Sequence, residues 1–126
     1  MTTFNVDIHV FELIEEGVLH INVKPETVPL QGVQGDTILW EIKTPGTAYF
    51  VDHTAGNQDV AFQTPGGQAL FNVQFITDTQ ILATVRDHNE NQTIYTYFLT
   101  VHLKNPAGVA IRIDPEVDNP PPPPGP

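Results

Sequence analysis

Apolar side chains recur at every second position over much of this chain. Phe4, Val6, Ile8 and Val10 alternate with Asn5, Asp7 and His9, the pattern of a half-buried strand. The same period of two runs through Ile38, Trp40 and Ile42, through Phe71, Val73 and Phe75, and through Ile81, Ala83 and Val85. The longest candidate strand spans Thr93 to Lys104, with Tyr95, Tyr97, Leu99, Val101 and Leu103 on one face. A last strand is expected from Val109 to Asp114, with Val109, Ile111 and Ile113 inward. Turn residues separate these runs: Glu16-Gly17, Gly35-Asp36, Pro45-Gly46, Pro65-Gly66-Gly67, Asp87-His88-Asn89 and Asn105-Pro106-Ala107-Gly108. No segment has a sustained helical period. Short strands with turns roughly every 8–12 residues predict an all-β chain, an antiparallel Greek-key β-sandwich of cupredoxin or immunoglobulin type.

Two local expectations follow from the pattern. A turn at Glu15-Glu16-Gly17 pairs Ile14 with Val18, which sets Leu19 opposite Leu13, Ile21 opposite Phe11 and His20 opposite Glu12 as a surface ion pair worth at most ~1 kcal/mol. Inward parity then changes from even at Phe4–Val10 to odd at Phe11–Leu13, so a β-bulge or a first strand crossing between sheets is expected near His9–Phe11. Trp40, between Ile38 and Ile42, is expected to anchor the core with its N–H satisfied.

Length and composition narrow the rest. A chain of 126 residues is one domain, and the apolar pattern places it at 1–114. Residues 115–126, with five consecutive prolines at Pro120–Pro124, read as a Pro-rich tail in polyproline II geometry. That tail is either a stiff spacer or a ligand for an aromatic groove. Fifteen acidic against five basic side chains give a formal charge of −10, which excludes a nucleic-acid-binding face. No apolar run is long enough for membrane insertion, and the N-terminus lacks the basic start and apolar stretch of a signal peptide, which favours the cytoplasm. The chain has neither cysteine nor serine, which removes disulfides, thiolate ligands and the commonest nucleophiles.

The segment Val23-Lys24-Pro25-Glu26-Thr27-Val28-Pro29-Leu30, followed by Gly35-Asp36-Thr37-Ile38-Leu39-Trp40, resembles the opening of a cupredoxin-like domain: a Pro-containing strand, a Gly-Asp turn and a strand with an inward Trp. Tyr95-Thr96-Tyr97-Phe98-Leu99, with Gly108 and Ile111-Arg112-Ile113, is similar to that family's paired C-terminal strands, so the resemblance covers roughly residues 18–114. It implies a Greek-key sandwich, but not the blue-copper site. That site takes two His, one Cys and usually an axial Met. Ala48-Tyr49-Phe50 stands where the first His would be, Leu99 stands at the Cys position with His102 three residues on, and the sole Met is Met1. No copper–thiolate chromophore is expected.

The remaining candidate chemistry lies in loops. Asp52-His53 and Asp87-His88, with His102 on an outer strand face, could ligate zinc, nickel or a type-2 copper; the simpler reading is that polar residues collect in loops, where Asp and Asn hydrogen-bond their own backbone. Paired acidic residues such as Glu15/Glu16 and Glu116/Asp118 read as a solvated acidic surface. Tyr49 and Phe50 are adjacent and cannot both face inward, Phe62 precedes a turn, and Phe98 lies on the outer face of the longest strand beside Ile94. These aromatics are covered, or else form a surface for a protein partner or homo-oligomer, Tyr49, Phe50 and Phe98 being the candidates. The favoured reading is a non-enzymatic, cupredoxin-like binding, accessory or self-associating module, with no cofactor and no catalytic residues. The alternative is a metal-binding protein or metalloenzyme using Asp52, His53, Asp87, His88 and His102.

Overall fold

The computed structural model describes residues 3–13, 18–30, 35–44, 46–53, 58–64, 70–86, 94–104 and 107–118. The expected turn at Gly17, the Pro65-Gly66-Gly67 turn, Asp87, His88 and Pro120–Pro126 lie outside these residues. The described chain is nearly all β: β1 (Thr3–Leu13), β2 (Val18–Lys24), β3 (Thr27–Pro29), β4 (Thr37–Ile42), β5 (Ala48–Tyr49), β6 (Val60–Phe62), β7 (Phe71–Thr77), β8 (Gln80–Val85), β9 (Ile94–Leu103), β10 (Ala110–Ile113) and β11 (Glu116–Asp118). No helix among these residues is long and apolar enough to cross a membrane.

The strands form two sheets. The first has the order β2-β1-β4-β8-β7; in the second, β9 pairs with β10 and β11 along one edge and with β5 and β6 along the other, and β3 adds beyond β11. Alternation explains why they pack face to face. In β4, β8 and β9 every second residue is buried, including Ile38, Trp40, Ile81, Ala83, Tyr95, Tyr97, Leu99 and Val101. These inward side chains form one continuous core. Trp40 crosses it from the first sheet: its ring meets Tyr97 of the second edge-on at 5.4 Å, and its Nε1–H donates to the Tyr97 hydroxyl at 3.0 Å.

The sheets are mixed, not wholly antiparallel. β1 runs parallel to β4, and β3 runs parallel to β11. The chain changes sheets at Lys24–Glu26, since β2 lies in the first sheet and β3 in the second. The crossing expected in β1 occurs here instead, after β2.

The first hairpin also corrects the expected register. Val10 faces Ile21, Phe11 faces His20, Glu12 faces Leu19 and Leu13 faces Val18, one residue away from the pairing of Leu13 with Leu19. His20 is thus not opposite Glu12. The ladder continues to Asp7↔Lys24, and no bulge interrupts it at His9–Phe11. Parity decides the matter. Val6, Ile8 and Val10 are the buried residues of β1, and Val23 is buried on β2. An even residue on β1 must therefore face an odd one on β2, or Asn22 and Lys24 would point into the core.

The C-terminal boundary moves as well. Pro115 is buried, Val117 is fully buried, and β11 is hydrogen-bonded between β9 and β3. The pairings Ile111↔Val101, Ile113↔Leu99 and Val117↔Tyr95 belong to one register, held through Pro115 by a Tyr97 N–H bond to the Pro115 carbonyl at 3.0 Å. Residues 115–118 are therefore part of the sandwich rather than of a tail. Val109 is 43% exposed, not inward, because it belongs to the turn at Gly108, whose φ of 85° favours glycine. A chain ending at Asp114 is expected to lose cooperative unfolding, whereas one ending at Asp118 keeps it. Urea titration of the two, followed by Trp40 fluorescence, checks the boundary.

Burial pushes the Tyr97 phenol up to about 12, with the Trp40 hydrogen bond acting in the opposite direction. In the unfolded chain a tyrosine titrates near ~10. The folded state thus holds this proton more tightly, and its contribution is complete below pH ~10 and lost as the pH rises through about 12. The expected loss is of order 2–3 kcal/mol between those pH values. Tyr97→Phe should flatten this alkaline limb in a series of denaturant melts. It should also cost about 1–3 kcal/mol at neutral pH, because the indole N–H loses its acceptor.

Candidate functional site

The alternation of β9 that sends Leu99, Val101 and Leu103 inward sends Thr100 and His102 to the outer face. Two short strands cover this end of β9 along one edge. Tyr49 of β5 lies opposite His102, and its ring stacks on the imidazole with centroids 5.7 Å apart and an interplanar angle of 30°. The adjacent Phe50 points the other way and is buried in the core at 2% exposure. Beyond it the chain leaves the sheet through Val51–His53 and returns at Gln58–Asp59 to begin β6. The Thr100 N–H donates to the Asp59 carbonyl at 2.8 Å, which fixes that return against β9.

Three side chains converge here. Asp59 is 4% exposed, an unusual place for a carboxylate without partners. Its Oδ2 accepts the Val51 N–H at 2.8 Å. Its Oδ1 lies 2.7 Å from His53 Nε2 and 3.1 Å from His102 Nε2. Gln58 holds His53 in place by two bonds to its backbone: the His53 N–H donates to Oε1 at 3.3 Å, and Nε2 donates to the His53 carbonyl at 3.1 Å. The imidazoles remain partly exposed, 37% for the His53 side chain and 25% for that of His102, so the buried carboxylate has a solvent-facing side.

The arrangement can act in two ways. With both Nε2 atoms protonated, Asp59 is a buried acceptor satisfied by three N–H groups. With both Nε2 atoms deprotonated, two imidazole nitrogens and one carboxylate oxygen, all within 4.8 Å of one another, form a donor set for a cation. Ligand bonds of ~2.0–2.2 Å in a tetrahedral set require donors about 3.3 Å apart. The 2.7 and 3.1 Å distances to Asp59 Oδ1 would open by about 0.6 and 0.2 Å, and the two imidazole nitrogens lie no more than 4.8 Å apart. Two nitrogens and one oxygen suit zinc, nickel or copper(II) better than magnesium or calcium, which take mostly oxygen.

Of the residues singled out from sequence, His53 and His102 meet in this cluster. Asp52 is exposed and accepts a Gln58 amide bond at 3.4 Å. Asp87 and His88 lie outside the described residues. Phe62 is buried and stacks on Phe71 at 4.3 Å. Phe98 is half-buried beneath Arg112, whose guanidinium sits 4.2 Å from the ring centroid. Tyr49, Phe50 and Phe98 thus have three different surroundings: a histidine, the core and an arginine. Asp59 was missed. It is 43 positions from His102, and no local spacing links them; the only signal was an aspartate directly preceding the apolar Val60-Ala61-Phe62. No protein-family model matches this chain, and no curated protein matches it.

Proposed function

We propose that this protein is a metal-ion-binding β-sandwich that holds one borderline divalent cation at His53, Asp59 and His102. The observation that carries the reading is the convergence of two imidazole Nε2 atoms on one oxygen of a buried carboxylate. Asp59, locked at Oδ2 by the Val51 N–H, offers Oδ1 as a single ligand atom. Solvent would complete the coordination shell, so the site suits binding and delivery of a cation. Blue-copper electron transfer is not part of the proposal, because the chain has no cysteine to supply the thiolate.

The sandwich itself is proposed to be cupredoxin-like with Greek-key connectivity. Support comes from the inward Trp40 following the Gly35-Asp36 turn, from the Pro25 crossing between β2 and β3, and from the pairing of β9 with β10. Titration calorimetry of chelator-treated protein with zinc chloride, and separately with nickel chloride, tests the function. One equivalent should bind, and the His53 and His102 ring resonances should shift together. Binding at other histidines, or no heat at millimolar metal, would overturn it.

A further inference from the structure

A groove of about 590 Å³ opens between the edges of the two sheets, away from the histidine cluster. One wall is Ile21–Lys24 of β2, the other Ile113–Pro115 at the end of β10, and Glu26 lies at the crossing between sheets. The lining residues are consecutive on both walls. Successive side chains of a strand point to opposite faces, so a cavity touching four in a row lies along the strand's backbone edge. Among the described residues, β2 pairs with β1 alone and β10 with β9 alone. Lower down, β3 closes the gap: it pairs with β11, and the Glu116 N–H donates to the Glu26 carbonyl at 3.0 Å. The groove is thus a slot with two strand edges as walls and a closed end, of a volume usual for ligand sites.

We infer that this slot receives an extended peptide segment of another protein, which adds as a strand to one of its edges and carries basic side chains alternating with small apolar ones. Main-chain hydrogen bonds to a sheet edge supply affinity without demanding sequence, and pockets for alternate side chains supply selectivity. The apolar positions would rest on Ile21 and Ile113, which pack partly exposed against the core. The charge favours a cationic partner. Glu26 and Asp114 outnumber Lys24 in the lining, and the whole chain carries −10, which also disfavours a second copy of itself as occupant. The chain's own Pro120–Pro124 cannot fill this role, since proline has no N–H to give a strand edge.

The test is a ¹⁵N-resolved NMR titration of the full chain with an acetylated, amidated Lys-Val-Lys-Val-Lys-Val peptide. Amide shifts should be confined to residues 20–26 and 110–116, and edge amides there should exchange more slowly with solvent. The same peptide N-methylated at alternate residues, and a Glu-Val counterpart, should each bind at least tenfold more weakly. The Glu26→Lys, Asp114→Lys double variant should reverse the preference toward the Glu-Val peptide, its dispersed spectrum reporting that it remains folded. No shift at ~1 mM peptide, equal binding of the N-methylated form, or shifts elsewhere would overturn the proposal. So would a concentration-dependent dimer seen by sedimentation without peptide, with shifts at these same residues, because the occupant would then be a second copy.

Discussion

Replacing Trp40 with alanine is expected to lower the free energy of unfolding by about 3–5 kcal/mol. The indole is fully buried between Ile38 and Ile42 and bridges the two sheets through the Tyr97 ring and hydroxyl. Its removal leaves a void between layers that cannot close without moving β4 against β9. It also strips an edge-on aromatic contact worth about 0.5–1.5 kcal/mol. Domains of this size have about 5–15 kcal/mol in all, so the loss approaches the whole stability of a weak one. The melting temperature should fall by roughly 10–25 °C. Urea unfolding with an unchanged slope and a lower midpoint is the expected measurement. A loss below ~1 kcal/mol would mean that the indole does not join the sheets. Trp40→Phe should be milder, since it keeps an aromatic ring and sacrifices mainly the hydrogen bond to Tyr97.

Asp59→Ala is expected to reduce zinc affinity by about 100-fold or more. Loss of groups that merely orient a ligand already costs about 10–100-fold, and in the proposed site Asp59 would supply a donor atom itself. His102→Ala should have a similar effect, and Asp52→Ala should have little, because Asp52 is exposed and outside the cluster. Competition against a chromophoric chelator measures the change. Thermal unfolding separates binding from folding. In the presence of EDTA, Asp59→Ala should cost about 1–3 kcal/mol by leaving the Val51 N–H and two imidazoles without their acceptor. With zinc at a hundred times the dissociation constant, the wild type should gain ~2.7 kcal/mol and the variant should not. Equal gains in both proteins would place the metal elsewhere.

How much of this was legible in the residues differs between fold and site. Strands β4, β7, β8 and β9 were each visible from their own alternation, and Trp40 from its position within one of them. β11 was not, because Glu116-Val117-Asp118 has a single apolar residue between two acidic ones and follows a proline. Only pairing with β9 and β3 makes it a strand. β5 and β6 were missed for the same reason, since both are short and depend on the far edge of β9. In the site, His102 could be assigned to an outer face, but nothing local showed what lay above it.

Alternation by itself determined that the chain is a β-sandwich and which residues of the long strands make its core, since a period of two assigns faces wherever one side must be dry. Composition by itself removed thiolate chemistry. Tertiary structure decided the rest. It set the β1–β2 register, because the parity of the core outweighed the expected turn. It made two strand pairings parallel, β1 with β4 and β3 with β11, since pairing partners lie far apart in the chain. It brought residues 115–118 into the sandwich by pairing their backbone on both sides. It also brought His53 and His102 onto Asp59, a meeting of residues 6 and 43 positions away from that carboxylate. Faces are a property of neighbouring residues and can be read along the chain. Pairings and convergent sites depend on where distant segments return, which burial of the whole core settles at once.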